Sequence, residues 1–190
     1  MLSVVIPTFD SERALVPTLA MLVPAAMSGI VREVTIADAR SNDATLEVAD
    51  VAGCSVLASS APLAQRLREA AAAARSRWLM FLRPGTVLDT TWLDEIVHFI
   101  EATERGETAA AAVFRKAASP RASYPIVVEA LALLKFAMVG RVGPEQGLVI
   151  STRLYSELGG HRDGAADPEA DLLARLGRRR ILMLRSGARG

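Results

Sequence analysis

The chain has 190 residues, 51% of them hydrophobic and 23% charged. That is enough apolar material for one well-cored domain, and it excludes a disordered tail. Twenty-two basic residues against 21 acidic leave a net charge of +1, so no global field gathers nucleic acid or anionic lipid.

In chain order, Leu2 to Pro7 is a predicted strand. It enters a loop, Pro7 to Ser11, whose Asp10 or Ser11 can cap a helix. That helix is predicted from Glu12 to Met27, with Pro17 in its first turn and Pro24 at its fraying end. Glu33 to Ala37 is a second strand. A polar turn, Asp38 to Asp43, follows it, and Ser41 or Asn42 is expected to cap the helix Asp43 to Val51. Ser55 to Ala58 is a short third strand. Beside it lies the single cysteine, Cys54, read as a buried, inert thiol. Leu63 to Arg75 is Ala-rich and helix-favouring.

Trp78 to Leu82 is an apolar run cut off by Arg83-Pro84-Gly85, the pattern of a buried strand ending in a turn. A strand with no polar alternation suits a parallel sheet covered on both faces. Thr91 to Glu104 is the next helix, with Asp89 expected at its N-cap. Strands alternating with helices over short connections imply a parallel sheet flanked by helices. Right-handed crossovers then bring the strand ends Pro7-Thr8, Asp38 to Ser41 and Arg83 to Thr86 to one rim, where ligands bind in such sheets.

Beyond Glu107 the predicted elements are a strand, Ala109 to Arg115; a mostly apolar helix, Ser123 to Val139; and a strand, Leu148 to Ser151. A short helix, Thr152 to Leu158, ends at Gly159-Gly160. Another starts at Asp167-Pro168, a cap followed by an N1 proline, and runs from Glu169 to Gly177. Arg178-Arg179-Arg180 reads as a solvated helix end before a last strand, Ile181 to Leu184. With no linker and no repeat, one domain is expected. The apolar helix Ser123 to Val139 suggests a homodimer, with burial inside the domain as the alternative. Leu2 to Ile6 runs into Pro7 too soon for a secretory signal, and Ile126 to Val139, carrying Glu129 and Lys135, is too short to span a bilayer. The expectation is a cytoplasmic protein; contact with a membrane surface has no support in the sequence.

Four blocks in this order resemble the family 2 glycosyltransferases, which have the GT-A nucleotide-sugar-binding fold, a Rossmann-like, mostly parallel sheet flanked by helices. Ser3 to Asp10 is similar to the family's opening S-V-I-I-P-hydrophobic-N/D-E. Glu33 to Thr45 is similar to E-V-I-V-V-D-G-G-S-T-D-G-T, and Ala70 to Thr86 to G-A-A-A-A-R-G-D-hydrophobic-L-F-L-x-A-D-T. Gly147 to Arg153 with Leu158 to His161 is similar to the acceptor-side Q-G-hydrophobic-hydrophobic-x-R-R and L-G-G-F. The sequence looks most like short bacterial members associated with radical-SAM and selenium-domain proteins. The resemblance implies a nucleotide-binding half over residues 1–104 and an acceptor-side half over 105–190. It implies sugar transfer from a nucleotide-sugar; a non-catalytic nucleotide-binding module is the alternative. A nucleotidyltransferase would show a Gly-rich, basic loop after the first strand, and Pro7 to Ser11 has none.

Glycosyl transfer has three needs: a grip on the nucleotide, neutralisation of the leaving diphosphate, and a base for the acceptor hydroxyl. For the grip, the resemblance implies Pro7, Thr8 and Asp38, although Asp38 as a plain turn cap is the alternative. Arg40 stands where the family often has glycine; it either narrows the pocket or supplies a cation for the diphosphate. The family's divalent metal, Mn²⁺ or Mg²⁺, needs oxygen ligands, but its carboxylate motif falls on Arg83-Pro84-Gly85. Arg83 therefore either replaces the metal as a bidentate cation or marks lost catalysis. For the base, Glu169 stands at the family's catalytic Asp, one methylene longer, with an acidic helix start as the alternative role. Glu145 and Gln146 match the acceptor-side Asp-Gln, and His98 and His161 read as surface or packing residues.

Overall fold

A computed structural model describes residues 1–106, 111–117 and 143–190. The first half alternates as the sequence predicts: β1 (Leu2–Thr8), α1 (Glu12–Met27), β2 (Val31–Asp38), α2 (Thr45–Val51), β3 (Ser55–Ala58), α3 (Leu63–Ala73) and β4 (Trp78–Phe81). Then come β5 (Val87–Leu88), α4 (Trp92–Glu104), β6 (Ala111–Lys116), β7 (Leu148–Ser151), α5 (Thr152–Glu157), α6 (Pro168–Leu176) and β8 (Ile181–Arg189). They form one sheet in the order β3-β2-β1-β4-β7-β6-β8-β5. Strands β1 to β4 are mutually parallel. β7 runs antiparallel to β4 and β6, β6 is parallel to β8, and β5 opposes β8.

The apolar runs are continuous because both sheet faces are buried. Val4, Ile6, Met80 and Leu82 pack with Leu15 and Leu22 of α1 and Trp92 and Ile96 of α4. Val5, Leu79 and Phe81 point the other way, onto Leu67 of α3, Tyr155 of α5 and Leu172 of α6. From β1 the chain winds outward through β2 to β3, then crosses back to β4 on the far side of β1. The ends of β1 and β4 thus flank a topological switch point, the standard place for a ligand crevice.

Several expectations are corrected. β5 has no counterpart in the sequence reading, and β8 extends beyond Leu184 to Arg189. Asp89 does not cap α4, whose N-cap is Thr91; its Oδ2 instead accepts from Gly187 N and ties β5 to β8. Ser11 takes the N-cap position of α1 but its side chain makes no capping bond, and Asp10, Ser41 and Asn42 cap no helix. Asp43 serves both: Oδ2 accepts from Glu12 N at 3.1 Å and Oδ1 from Thr45 N at 3.0 Å. Asp167 does cap α6, accepting from the backbone of Glu169 and Ala170. Cys54 is half-buried, and burial pushes its thiol pKa up, against nucleophilic use. Among the described residues no helix is long and apolar enough to cross a membrane. The predicted helix Ser123 to Val139, and the self-association reading built on it, lie outside the described residues.

Candidate functional site

Thr8 and Asp38 end adjacent strands and meet directly. Thr8 Oγ1 donates to Asp38 Oδ1 at 2.7 Å. Ser41 adds its hydroxyl to Oδ1 at 2.6 Å and its N–H to Oδ2 at 2.8 Å. Asp38 is 0% exposed, so both its oxygens serve the rim from within. Burial alone would raise its pKa, but the bonds from Ser41, Thr8 and the Arg40 backbone outweigh it and hold the carboxyl below its ordinary value.

The two rim loops are stitched together. Asp10 N donates to Ser41 Oγ at 2.9 Å, and Asn42 N to Asp10 Oδ1 at 2.7 Å. Ser11 N reaches Thr45 Oγ1 at 2.7 Å, and Ala44 N reaches Glu12 Oε2 at 3.1 Å. Asp10 and Arg40 carry φ of 44° and 61°, the left-handed region where glycine costs least. Arg40 thus keeps the backbone shape that a family glycine would give, with its side chain exposed beside the rim.

Beneath the rim lies a residue that the motif comparison misses. Arg66 is 9% exposed and projects from α3 under the ends of β1 and β2. It donates to the carbonyls of Ala37, Thr8 (3.4 Å) and Ala61 (3.1 Å). Burial lowers its pKa while Asp38 opposes the fall. One signal was present: Leu63, Arg66, Leu67 and Ala70 share a helix face, so an arginine sits in apolar phase.

The β4 tip is pinned to α1 by Gly85 N, which donates to Ala14 O at 2.8 Å and Thr18 Oγ1 at 3.0 Å. Arg83 turns from this tip towards α6. Its Nε donates to Glu169 Oε2 at 2.8 Å and its Nη2 to the same oxygen at 2.5 Å, with Asp167 Oδ2 at 3.5 Å. The structure thus joins Arg83, which the resemblance sets against the family's metal carboxylate, to Glu169, which it sets against the family's base. Burial pushes Glu169 above the ordinary carboxylate range, and Arg83 works against that push. Glu169 also lines a small cleft with Phe81, Pro144, Gly147, Leu148 and His161.

Glu145 is exposed and paired with Lys116 Nζ at 2.7 Å. Gln146 is buried: Nε2 donates to Phe114 O at 2.7 Å, and Oε1 accepts from Gly143 N at 2.8 Å, fastening this loop to β6. Gly147 follows at φ 70°, where a Cβ would lie 2.8 Å from Leu82 Cδ2. Gly147→Ala is therefore expected to cost about 2 kcal/mol in denaturant unfolding, from backbone strain plus overpacking; a loss below half that size rules out the clash.

His161 is a packing residue, 1% exposed against Phe81 and Tyr155. His98 is exposed. The fit to a divalent ion is poor. The tip offers no carboxylate, Glu169 and Asp167 face Arg83, Glu145 faces Lys116, and Asp89 is turned to Gly187. Among the described residues, no group of three His, Cys, Asp or Glu is placed to hold a metal.

A mostly parallel sheet with helices on both faces, and a topological switch point between β1 and β4, fit a GT-A fold. The sequence profile described as "Glycosyl transferase family 2" matches residues 3–148, and the chain belongs to that family. Among solved structures it is similar to S. aureus TarS, with 16% identity and a TM-score of 0.74, covering 96% of this chain and 57% of that one. The same TarS fragment in complex with UDP gives 16% identity and 0.73, over 96% and 57%. Glucosyl-3-phosphoglycerate synthase from Mycobacterium tuberculosis, in complex with Mn²⁺, UDP and glucosyl-3-phosphoglycerate, gives 18% identity and 0.68, covering 100% of this chain and 72% of that one. The chain thus spans little more than half of the TarS fragment. No curated protein sequence matches.

Proposed function

We propose that this protein transfers a sugar from a nucleotide-sugar and holds the donor diphosphate with arginine instead of a divalent ion. The observation that carries the reading is Arg83: a guanidinium, its side chain 35% exposed, at the strand end where the family places its metal carboxylate. Pro7, Thr8 and Asp38 are assigned to the nucleotide rim, with Asp38 acting by fixing Thr8 and Ser41. Arg40 and Arg83 are assigned to the diphosphate, Glu169 to the acceptor proton, and Glu145 and Gln146 to the acceptor side, Gln146 as a positioning residue. The finer likeness, to short bacterial proteins linked to radical-SAM and selenium-domain partners, and a cytoplasmic location belong to the same proposal, as does a single domain. That the structural neighbours were crystallised with UDP supports a nucleotide-sugar donor.

In the reaction, the acceptor oxygen bonds to the anomeric carbon and the bond from that carbon to the diphosphate oxygen breaks. The electron pair leaves on the nucleoside diphosphate, and the hydroxyl proton passes to Glu169. Calorimetry with UDP and GDP tests the grip. Binding is expected to be unchanged by EDTA and by added Mn²⁺, and to weaken as salt rises, because exposed charges make the contact. A requirement for Mn²⁺ removes Arg83 from the diphosphate site. Donor-sugar turnover, measured alongside, separates a transferase from a binding module.

A further inference from the structure

The Arg83–Glu169 pair has a consequence for how binding and chemistry are ordered, one that rests on the proposed nucleotide-sugar reading. Glu169 is almost closed off, with its side chain 7% exposed, while the side chain of Arg83 is 35% exposed. Both observed Arg83 bonds converge on one oxygen of Glu169, and Asp167 adds a weaker contact. The guanidinium is therefore the solvent-facing member of the pair, and it spends on Glu169 the charge that the diphosphate needs.

We infer that the Arg83–Glu169 ion pair is a latch that the donor diphosphate opens: the guanidinium passes from the carboxylate to the diphosphate and leaves Glu169 free to accept the acceptor's proton. The exchange is physically coherent. A diphosphate offers more charge and more acceptor oxygens than one carboxylate, in the geometry a guanidinium fork matches. A carboxylate left unpaired in a buried cleft is unstable as an anion. Its surroundings already push it towards the neutral form, restrained by Arg83. Removal of that restraint turns a neutralised carboxylate into a stronger base, and does so only when a donor is present. In the absence of donor the carboxylate stays covered, so water is not activated beside an empty site.

Asp167 keeps its place through the exchange, because its Oδ1 is held by the first N–H groups of α6. Glu145 lies close enough to feel the charge of Arg83 but is committed to Lys116. The competition is thus between Glu169 and the ligand.

The test is a four-protein cycle: the unaltered chain, Glu169→Gln, Arg83→Met, and the double variant. Each is titrated with UDP and with GDP by calorimetry, with folding checked by thermal melting. Glu169→Gln keeps size and polarity while removing the competing charge. It is expected to tighten diphosphate binding about tenfold, the effect of releasing one charge-assisted contact. Arg83→Met is expected to weaken binding by at least as much. In the Arg83→Met background, Glu169→Gln is expected to change nothing. Unchanged or weaker binding in Glu169→Gln overturns the latch and leaves the nucleotide site standing. Tightening that persists without Arg83 also overturns it, since simple relief of charge repulsion then suffices. Failure of all four proteins to bind either nucleotide overturns the proposed function together with the latch.

Discussion

Asp38→Ala is expected to abolish nucleoside diphosphate binding and to lower unfolding free energy by about 3 kcal/mol, the size typical of breaking a buried charged network. The substitution removes the acceptor for Thr8 Oγ1, Ser41 Oγ and Ser41 N at one stroke. It also strips the buried Arg66 of the nearby negative charge that offsets its own. Hydroxyls can turn to other partners, whereas the half-buried Ser41 N loses its acceptor, at a cost of about 1 kcal/mol. Ser41 Oγ also anchors Asp10 N, so the loop after β1 loosens along with the loop after β2. Asp38→Asn discriminates charge from shape. Its oxygen can face Ser41 N while its NH₂ donates to hydroxyls that reorient, so roughly half the lost stability should return. Denaturant melts read the loss of stability and calorimetry the loss of binding. A loss below about 1 kcal/mol in Asp38→Ala means that the network is not what holds the rim.

The parts of the fold legible in the sequence are those where burial acts on a contiguous stretch. Trp78 to Phe81 has no polar alternation because each face of β4 meets a different core, and that alone marks a central strand. The α6 start is legible because its cap and its proline are adjacent in sequence. Strand direction is not written in composition: Leu148 to Ser151 reads the same whether it runs with β4 or, as it does, against it. Nor is the two-residue β5, which exists only because β8 pairs with it. Asp43 caps a helix 31 residues away, which local rules for capping cannot foresee.

At the site, position in the family blocks singles out Arg83 and Glu169 separately as candidates. Their pairing joins residues 86 apart and is a property of the fold. The loss of glycine at Arg40 was visible in sequence, but its outcome was not. The backbone keeps the positive φ, at a cost of about 1–2 kcal/mol, because the stitching to the first loop fixes the turn.

Acid is expected to destabilise the protein through His161, the other residue whose setting the motif comparison did not reveal. Tyr155 Oη accepts from His161 N at 3.3 Å and lies 2.8 Å from Nδ1, to which it donates when the neutral ring carries its proton on Nε2. That bond requires an unprotonated Nδ1. Burial lowers the ring's pKa to about 4, and the positive charges of Arg175 and Arg68 add to the fall, against smaller opposition from Asp167 and Asp171. Above pH 6.5 the ring is neutral in both folded and unfolded states, and its contribution is constant. Between 6.5 and 4 the unfolded chain takes up a proton that the folded state refuses, so stability falls as pH falls. Linkage gives a loss of about 2 kcal/mol from pH 8 to pH 5 and about 3 kcal/mol by pH 4. Glu169 acts in the opposite sense: its raised pKa favours the folded state at low pH and loses that advantage as pH rises above the unfolded glutamate value. The two are separated by His161→Asn, which lacks the titrating ring. The variant is expected to be less stable at pH 8, where the bond to Tyr155 is lost, but to lose about 2 kcal/mol less than the parent on going to pH 5. Urea melts at the two pH values measure that difference. Equal acid losses in parent and variant would mean that His161 is protonated in the folded protein, with Tyr155 no longer donating to it.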